Sequence, residues 1–146
     1  MGAPYYGRCN CGAVTITIDA EPVATRQCWC RQCQRTAAGG PTNNAIFPLD
    51  AITITGARAE CAYVAASGNT LTHEFCPGCG VPVLGRSDAR LHLRTVRMGL
   101  LNEGHGLAPT MAIWTDEAPT WAAIDPALER WPQQPPAPGA APDPKP

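Results

Sequence analysis

The sequence contains few aromatic residues, no long apolar run and almost no net charge. Only 9 of its 146 residues are Trp, Tyr or Phe, so bulky side chains alone can build only a small core. No apolar run approaches the roughly 20 residues of a membrane-spanning helix, and the N-terminus lacks the apolar segment of a signal peptide. A formal net charge of −1 disfavours binding to nucleic acid or to an anionic membrane. We therefore expect a soluble, cytoplasmic protein.

Cysteine, glycine and proline are abundant instead. The chain has 8 Cys, 14 Gly and 16 Pro, and its length suits one domain. So much glycine and proline argues against long helices and indicates short strands joined by turns. The composition therefore predicts a mainly β fold. In a reducing compartment, eight cysteines indicate metal ligands or nucleophiles rather than disulfides.

Alternating apolar residues locate the predicted strands. Val14, Ile16 and Ile18 alternate with threonines, which is the period of a half-buried strand. One helical turn is expected after Cys33. Further short strands are expected at 46–47, 51–55, 61–66, 71–75, 81–84 and 91–98, with an edge strand at 111–114. From Pro132 onward, 7 of 15 residues are Pro, so residues 132–146 are predicted to form an extended or disordered tail.

Two cysteine pairs have the spacing of zinc ligands. Cys76-Pro77-Gly78-Cys79-Gly80 has the form of a zinc knuckle, in which two thiolates grip one ion and the glycines permit turns that aim N–H groups at the sulfurs. A second pair precedes the first predicted strand. Together they form the four-cysteine cluster, which consists of Cys9, Cys11, Cys76 and Cys79. Four thiolates leave no coordination position vacant, so this predicted zinc site is structural.

Three further cysteines form a different pattern. The three-cysteine cluster, Cys28, Cys30 and Cys33, supplies three ligands within six residues and no fourth ligand nearby. Three protein ligands leave one position open, as in catalytic zinc sites, so we assign these residues to catalysis. A zinc ion with thiolate ligands also suits a soft incoming ligand such as a thiol. The alternatives are that Cys61, His73, His92 or His105 closes this second site.

Arginines lie close to these cysteines in the sequence. They are Arg8, Arg26, Arg31 and Arg35. One interpretation is that they balance the thiolate charge. The other is that they bind the carboxylates of an anionic thiol, because guanidinium groups pair with carboxylates in bidentate geometry. We assign Arg31 and Arg35 to this binding role.

The motif set resembles that of the glutathione-dependent formaldehyde-activating enzyme family, whose domain also occurs in centromere protein V. The motifs are Gly7-x-Cys9-x-Cys11-Gly12-Ala13-Val14, then Cys28-x-Cys30-x-x-Cys33, then Phe75-Cys76-x-x-Cys79-Gly80. The resemblance extends over roughly residues 5 to 135. It implies a tent-like zinc-binding fold of small antiparallel sheets with short helical turns, with the zinc-binding domain at 5–131.

The resemblance also implies two zinc ions per chain, one structural in the four-cysteine cluster and one with an open position in the three-cysteine cluster. The implied activity is that of a carbon–sulfur lyase acting on S-hydroxymethylglutathione or a related thiol adduct, with glutathione as the small-molecule partner. A non-catalytic zinc-binding interaction module is the alternative function.

Two positions depart from the family pattern. Gly99-Leu100-Leu101-Asn102 lacks a hydroxyl residue, and Ala112 stands where a His often precedes the apolar pair. Both departures are expected to remove polar groups from the wall of a pocket.

Overall fold

The computed structural model of the chain describes residues 2–136, which form a mainly β structure, as predicted. The strands are β1 Tyr5–Arg8, β2 Thr15–Ile18, β3 Ala24–Cys28, β4 Thr42–Pro48, β5 Ile52–Thr55, β6 Ala59–Val64, β7 Thr70–Phe75, β8 Pro82–Ser87, β9 Leu93–Arg97, β10 Met111–Ile113 and β11 Glu129–Arg130. One α-helix, α1, spans Arg31–Thr36. Three single 3-10 turns span Leu49–Ala51, Met98–Leu100 and Thr115–Glu117.

The strands form two sheets. The smaller sheet is antiparallel with the order β1-β2-β5, and the larger sheet has the order β11-β10-β3-β4-β9-β8-β7-β6. The larger sheet is mixed because β10 runs parallel to both β3 and β11. The prediction that β10 is an edge strand is therefore wrong, since the two residues of β11 pair along its outer side. Their separation from β10 along the sequence gave no pairing signal.

The hydrophobic core lies between the two sheets. Ile16 and Ile18 of β2 pack into one cluster with Phe47, Val83 and Val96 of the larger sheet. Their burial is nearly complete, between 0% and 2% exposed, and each contributes about 1.5–3 kcal/mol relative to an exposed side chain. The alternation seen in the sequence thus marks the core-facing positions of these strands, and their other residues face away from the core.

The larger sheet carries a row of polar residues on the face opposite this core. Arg26 of β3 lies directly opposite Asn44 of β4, which lies directly opposite Arg97 of β9. Residues opposite one another in neighbouring strands project from the same face. Cys28 lies two residues after Arg26 and shares that face. This face supports the candidate site described below.

A close approach of two backbones joins the small sheet to the chain after β9. A Cβ atom added at Gly7 would lie 2.3 Å from the carbonyl oxygen of Leu100, so a side chain there would force the segments apart. Leu100 and Leu101 are 2% and 6% exposed within the core. Leu100, where the family has a hydroxyl residue, therefore points into the core and does not line a cavity. Ala112 is likewise fully buried in β10. The expectation that these departures alter a pocket wall is wrong.

The first residues of the Pro-rich segment run beside the residues that follow β10. The backbone N–H groups of Trp114 and Asp116 donate to the carbonyls of Gln133 and Pro132, both at 3.3 Å. The predicted tail from 137 to 146 lies outside the described residues. Within residues 2–136, no helix has the length and apolar character needed to cross a membrane.

Candidate metal centres

The four-cysteine cluster has the dimensions of a tetrahedral zinc site. Its four sulfur atoms all lie within 4.8 Å of one another. The Cys9 and Cys11 Sγ atoms are 3.6 Å apart, and those of Cys11 and Cys76 are 3.7 Å apart. A tetrahedron with Zn–S bonds of about 2.3 Å has edges of about 3.8 Å. The sulfur positions therefore fit one zinc ion.

Two tight turns position these sulfurs. In the first, the N–H of Gly12 donates to the carbonyl of Cys9 at 3.1 Å, and the N–H of Val14 donates to Cys9 Sγ at 3.3 Å. In the second, the N–H of Gly80 donates to the carbonyl of Cys76 at 2.8 Å. Gly80 has a φ of 75°, a conformation that a glycine adopts without strain. Of the two knuckle glycines, Gly80 adopts the turn conformation expected from the sequence.

Backbone N–H groups favour negative charge on this cluster. The N–H groups of Cys11 and Val81 lower the pKa of Cys79 to about 6. A hydrogen bond from the N–H of Ala13 lowers the pKa of Cys11, but the neighbouring sulfurs of Cys9 and Cys76 outweigh it and raise that pKa to about 11. The protein alone thus stabilises some of the four thiolates, and a cation is needed for all four.

The three-cysteine cluster lies where β3 passes into α1. Cys28 is the last residue of β3, and Cys30 caps the helix by accepting a hydrogen bond on Sγ from the N–H of Cys33 at 3.3 Å. The three sulfurs lie within 4.8 Å of one another, and no fourth Cys, His, Asp or Glu of residues 2–136 joins them. Cys28 and Cys33 are buried, whereas Cys30 is half-buried. The cluster therefore offers three ligands with one accessible side.

The three thiols share negative charge unequally. The thiols of Cys28 and Cys30 donate to the Cys33 sulfur and lower its pKa to about 3. Conversely, hydrogen bonds to the sulfurs of Cys30 and Cys33, followed by burial, raise the pKa of Cys28. One thiolate is therefore stable without a cation, and a divalent cation would allow all three.

Side chains that the sequence did not single out hold α1 in place. Gln34 is 3% exposed, and its Nε2 donates to the carbonyls of Trp29 at 2.6 Å and Glu117 at 2.9 Å. The Glu117 carboxylate accepts from the N–H of Arg31 at 2.6 Å. These bonds, two of which reach Glu117 more than 80 residues away, fix the helix that carries Cys33 and so preorganise the sulfurs.

Two neighbouring cavities are both lined by Cys30. The inner cavity has a volume of about 160 Å³ and is lined by the three-cysteine cluster and by Arg26, Asn44, His73, Arg90 and Arg97. The outer cleft has a volume of about 570 Å³ and is lined by Cys30, Arg31, Arg35, Tyr63, Arg90 and Trp114. Cavities of about 300–1,000 Å³ hold drug-sized ligands. The outer cleft has room for such a molecule, whereas the inner cavity holds only a small group.

The four residues considered from the sequence as a fourth ligand of the three-cysteine cluster lie in different places. His73 lines the inner cavity, where burial and then the charge of Arg97 lower its pKa to about 4. Its ring packs edge-on against Tyr63, with centroids 5.4 Å apart. His92 is exposed, and Nδ1 of His105 accepts from the N–H of Leu107 at 2.9 Å. Cys61 is exposed on β6 and belongs to neither cluster.

The four arginines that are close to the cysteines in the sequence lie in three different environments. Arg31 and Arg35 line the outer cleft, as their assignment to substrate binding requires. Arg8 is exposed, near the turn of the four-cysteine cluster. Arg26 is 5% exposed and lines the inner cavity, and desolvation, followed by the nearby charge of Arg90, lowers its pKa.

Comparison with known proteins agrees with this arrangement. The family model described as glutathione-dependent formaldehyde-activating enzyme matches residues 4–117, which include both cysteine clusters. The structure is also similar to the crystal structure of a Rhodobacter sphaeroides protein, with a TM-score of 0.53 and 23% sequence identity, covering 86% of this chain and 98% of that chain. At that identity, the structural similarity concerns the fold.

Proposed function

This chain belongs to the glutathione-dependent formaldehyde-activating enzyme family, and we propose that it is a zinc-dependent carbon–sulfur lyase. Its substrate is an adduct of glutathione or a related thiol, as in an S-hydroxymethylglutathione synthase. One observation carries the proposal: the three sulfurs converge without a fourth protein ligand, at the point where a small cavity meets a larger cleft.

The residues present suit zinc at both clusters. When bound in the three-cysteine cluster, zinc supplies a Lewis acid that stabilises a thiolate and polarises a carbonyl. The burial of Cys28 and Cys33 leaves Cys30 as the side of the cluster that faces the outer cleft. A thiol entering from the cleft therefore reaches the cluster beside Cys30.

The outer cleft provides the binding groups for glutathione. Arg31 and Arg35 line it, and their guanidinium groups would hold carboxylates of the tripeptide in bidentate geometry. Trp114 and Tyr63 provide apolar walls that exclude water from the adduct. Holding the thiol and a small aldehyde side by side converts a bimolecular addition into a reaction between bound groups.

We assign a structural role to zinc in the four-cysteine cluster. Cys9 and Cys76 are each 1% exposed and belong to the hydrophobic core. The cluster thus joins the first strand to the knuckle at the end of the β7 strand. A cytoplasmic location suits both clusters, because all eight cysteines are free thiols that an oxidising compartment would endanger.

Metal analysis combined with glutathione titration tests the proposal. We expect two zinc ions per wild-type chain and a micromolar-to-millimolar affinity for glutathione. Cys30→Ser should lose one zinc ion, weaken glutathione binding and lower turnover at least about 100-fold. The matched control is Cys61→Ser, which alters an exposed thiol outside both clusters and should retain both ions and full turnover.

Three results would contradict this function in different ways. A single zinc ion in the wild type would remove the open site. Unchanged turnover in Cys30→Ser would place the reaction elsewhere. Two zinc ions without binding or reaction of glutathione would leave the architecture intact and favour the non-catalytic interaction module.

A further inference from the structure

The inner cavity holds more positive charge than its own ion pairs neutralise. Arg26, Arg90 and Arg97 line it, and none of them forms a salt bridge within residues 2–136. Arg86 is different, because its guanidinium pairs with Glu60 at 3.0 Å and with Glu74 at 3.2 Å. Three guanidinium groups therefore line the cavity without a carboxylate partner in the part of the chain that the structure describes.

Arg26 is the least satisfied of the three. It is 5% exposed, and its Nε has no hydrogen-bond partner in the described part of the chain. Among the described residues, its one side-chain bond runs from Nη2 to the carbonyl of Pro136 at 3.3 Å. A buried charged donor without a partner is costly, and arginine does not lose its proton in proteins. A permanent cation is thus held ready for an acceptor in the cavity.

Arg97 is positioned by its neighbour in the sheet. The Oδ1 of Asn44 accepts from Arg97 Nη1 at 2.5 Å, and Asn44 Nδ2 donates to Thr42 Oγ1 at 2.9 Å. Asn44 is 5% exposed and lies between Arg26 and Arg97 in the strand register. The row is therefore built to hold two guanidinium groups on one face, and Arg90 adds a third from the turn after β8.

The thiolates do not account for all of this charge. With zinc, the cluster carries only one net negative charge, and two positive charges remain. An incoming thiolate accounts for one of them. The other calls for a second anion within the inner cavity.

We propose that the inner cavity is a carboxylate-binding site, formed by Arg26, Arg90 and Arg97, and that it holds the carboxylate of the small carbonyl reactant. The preferred reactant is accordingly a carboxylated aldehyde, of which glyoxylate is the smallest. The cavity volume of about 160 Å³ is below the about 300 Å³ at which pockets accept drug-sized ligands, so a tripeptide thiol stays in the outer cleft. The identity of this reactant rests on the proposed function, whereas the carboxylate site does not.

The reaction with such an aldehyde balances without any further reagent. The thiolate sulfur attacks the aldehyde carbon and forms the new carbon–sulfur bond. The π electron pair of the carbonyl moves to its oxygen, which takes up the proton released by the thiol. The product is a hemithioacetal that keeps the carboxylate, and no atom is oxidised or reduced. Cleavage is the same step in reverse.

Titration of the zinc-loaded protein with acetate and with acetamide, its neutral counterpart, tests the site by ligand-observed NMR. We expect acetate to bind at least about tenfold more tightly than acetamide, as for a charge-assisted hydrogen bond. Arg97→Gln and Arg90→Gln should each weaken acetate binding at least about tenfold. Arg90 provides the second variant because it is half-buried in a turn and its side chain makes no hydrogen bond within residues 2–136.

Arg94→Gln is the matched control. Arg94 lies on the same strand as Arg97, does not line the inner cavity, and within residues 2–136 its side chain bonds only to the carbonyls of Leu91 and Leu93. It should leave acetate binding within twofold of the wild type. Equal binding of acetate and acetamide would overturn the proposal. Acetate binding that survives both the Arg97 and Arg90 substitutions would also overturn it, and zinc content measured on each variant ensures that the metal site is intact.

A repeat titration in saturating glutathione identifies the source of the carboxylate. Independent binding of acetate and glutathione supports the carbonyl reactant. Competition between them would assign the cavity to a carboxylate of the thiol and overturn the assignment to the aldehyde. If glutathione does not bind at all, the proposed function fails while the acetate result still decides the site. Turnover of glyoxylate relative to glycolaldehyde should fall at least about tenfold in Arg97→Gln.

Discussion

The two cysteine clusters use the same ligand atom in opposite surroundings. Cys9 and Cys76 of the four-cysteine cluster belong to the hydrophobic core, whereas Cys11 is exposed. The sulfurs of this cluster come from two turns that are 65 residues apart, as measured from Cys11 to Cys76. The three-cysteine cluster comes from six consecutive residues on the far face of the larger sheet and borders two cavities. The first can therefore tie the fold together, whereas the second can accept a ligand.

The surroundings also differ in charge. Backbone N–H groups stabilise the sulfurs of the four-cysteine cluster, and they are neutral and fixed. Arginine side chains surround the three-cysteine cluster, and several of them have no ion-pair partner within residues 2–136. A closed metal site needs only enough polarity to hold its thiolates. An excess of cations beside an open site indicates that an anion arrives from outside.

The largest expected effect comes from opening the closed cluster. Cys76→Ser removes a fully buried ligand that links the knuckle to the first strand. Structural zinc contributes on the order of 10 kcal/mol, and a native domain has about 5–15 kcal/mol of net stability, so we expect this variant to be unfolded. Circular dichroism and zinc content measure the loss. A folded Cys76→Ser with one remaining zinc ion would show that the two clusters do not differ as described.

The second prediction concerns the order of metal loss. A chelator should remove the ion of the three-cysteine cluster first, because three protein ligands hold that metal whereas four hold the other. We expect the two release rates to differ at least about tenfold, with circular dichroism unchanged after the first ion and lost after the second. Zinc release is followed with a chromophoric indicator. Simultaneous release of both ions would contradict the distinction between the clusters.

Local spacing explains how much of this architecture the sequence could predict. The Cys-x-Cys and Cys-x-x-Cys spacings group the same seven cysteines that the structure brings together, because neighbouring ligands need only a turn between them. Local signals also located other elements: the helical turn expected after Cys33 overlaps α1, and the strands expected at 61–66 and 71–75 correspond to β6 and β7.

The row of polar residues on the larger sheet could not be predicted in the same way. It depends on Arg26, Asn44 and Arg97 meeting through the register of three strands that are far apart in the sequence. A shift of one residue would turn these side chains to the core face. Arg31 and Arg35 could be predicted because they lie next to the three cysteines in the sequence. Arg90 and Arg97 are far from those cysteines in the sequence, so proximity along the chain does not identify them.

The third prediction tests whether the hairpin that walls the cavities is separable from the metal clusters. Glu74 bonds to Arg58 Nε at 2.8 Å and to Arg86 Nη1 at 3.2 Å, with its side chain 10% exposed. Glu74→Gln removes the carboxylate that pairs with Arg58 and leaves Arg86 paired with Glu60, so it should cost about 2 kcal/mol of unfolding free energy. Urea unfolding measures this loss. We expect both zinc ions to be retained, and loss of either ion would tie the ion-pair network to a metal cluster.

The smallest expected effect is that of Tyr5→Phe in the hydrophobic core. Tyr5, 3% exposed, donates through its hydroxyl to Glu21 Oε2 at 2.6 Å. Burial, then this bond, raises the pKa of Tyr5 to about 12, and the same bond lowers the pKa of Glu21. Tyr5→Phe should therefore lower Tm by only a few degrees and leave zinc content and turnover unchanged.

The pH dependence distinguishes the loss of this bond from a general loss of packing. A raised tyrosine pKa gives stability that is complete below pH 10 and is lost as the pH rises through about 12. A lowered glutamate pKa gives stability that is present above pH 4.5 and is lost as the pH falls through the lowered value. The Tm difference between wild type and Tyr5→Phe should thus be constant between pH 5 and 10 and shrink on both sides. A difference that stays constant across the whole range would assign the effect to packing against Phe47, whose ring centroid lies 5.8 Å away.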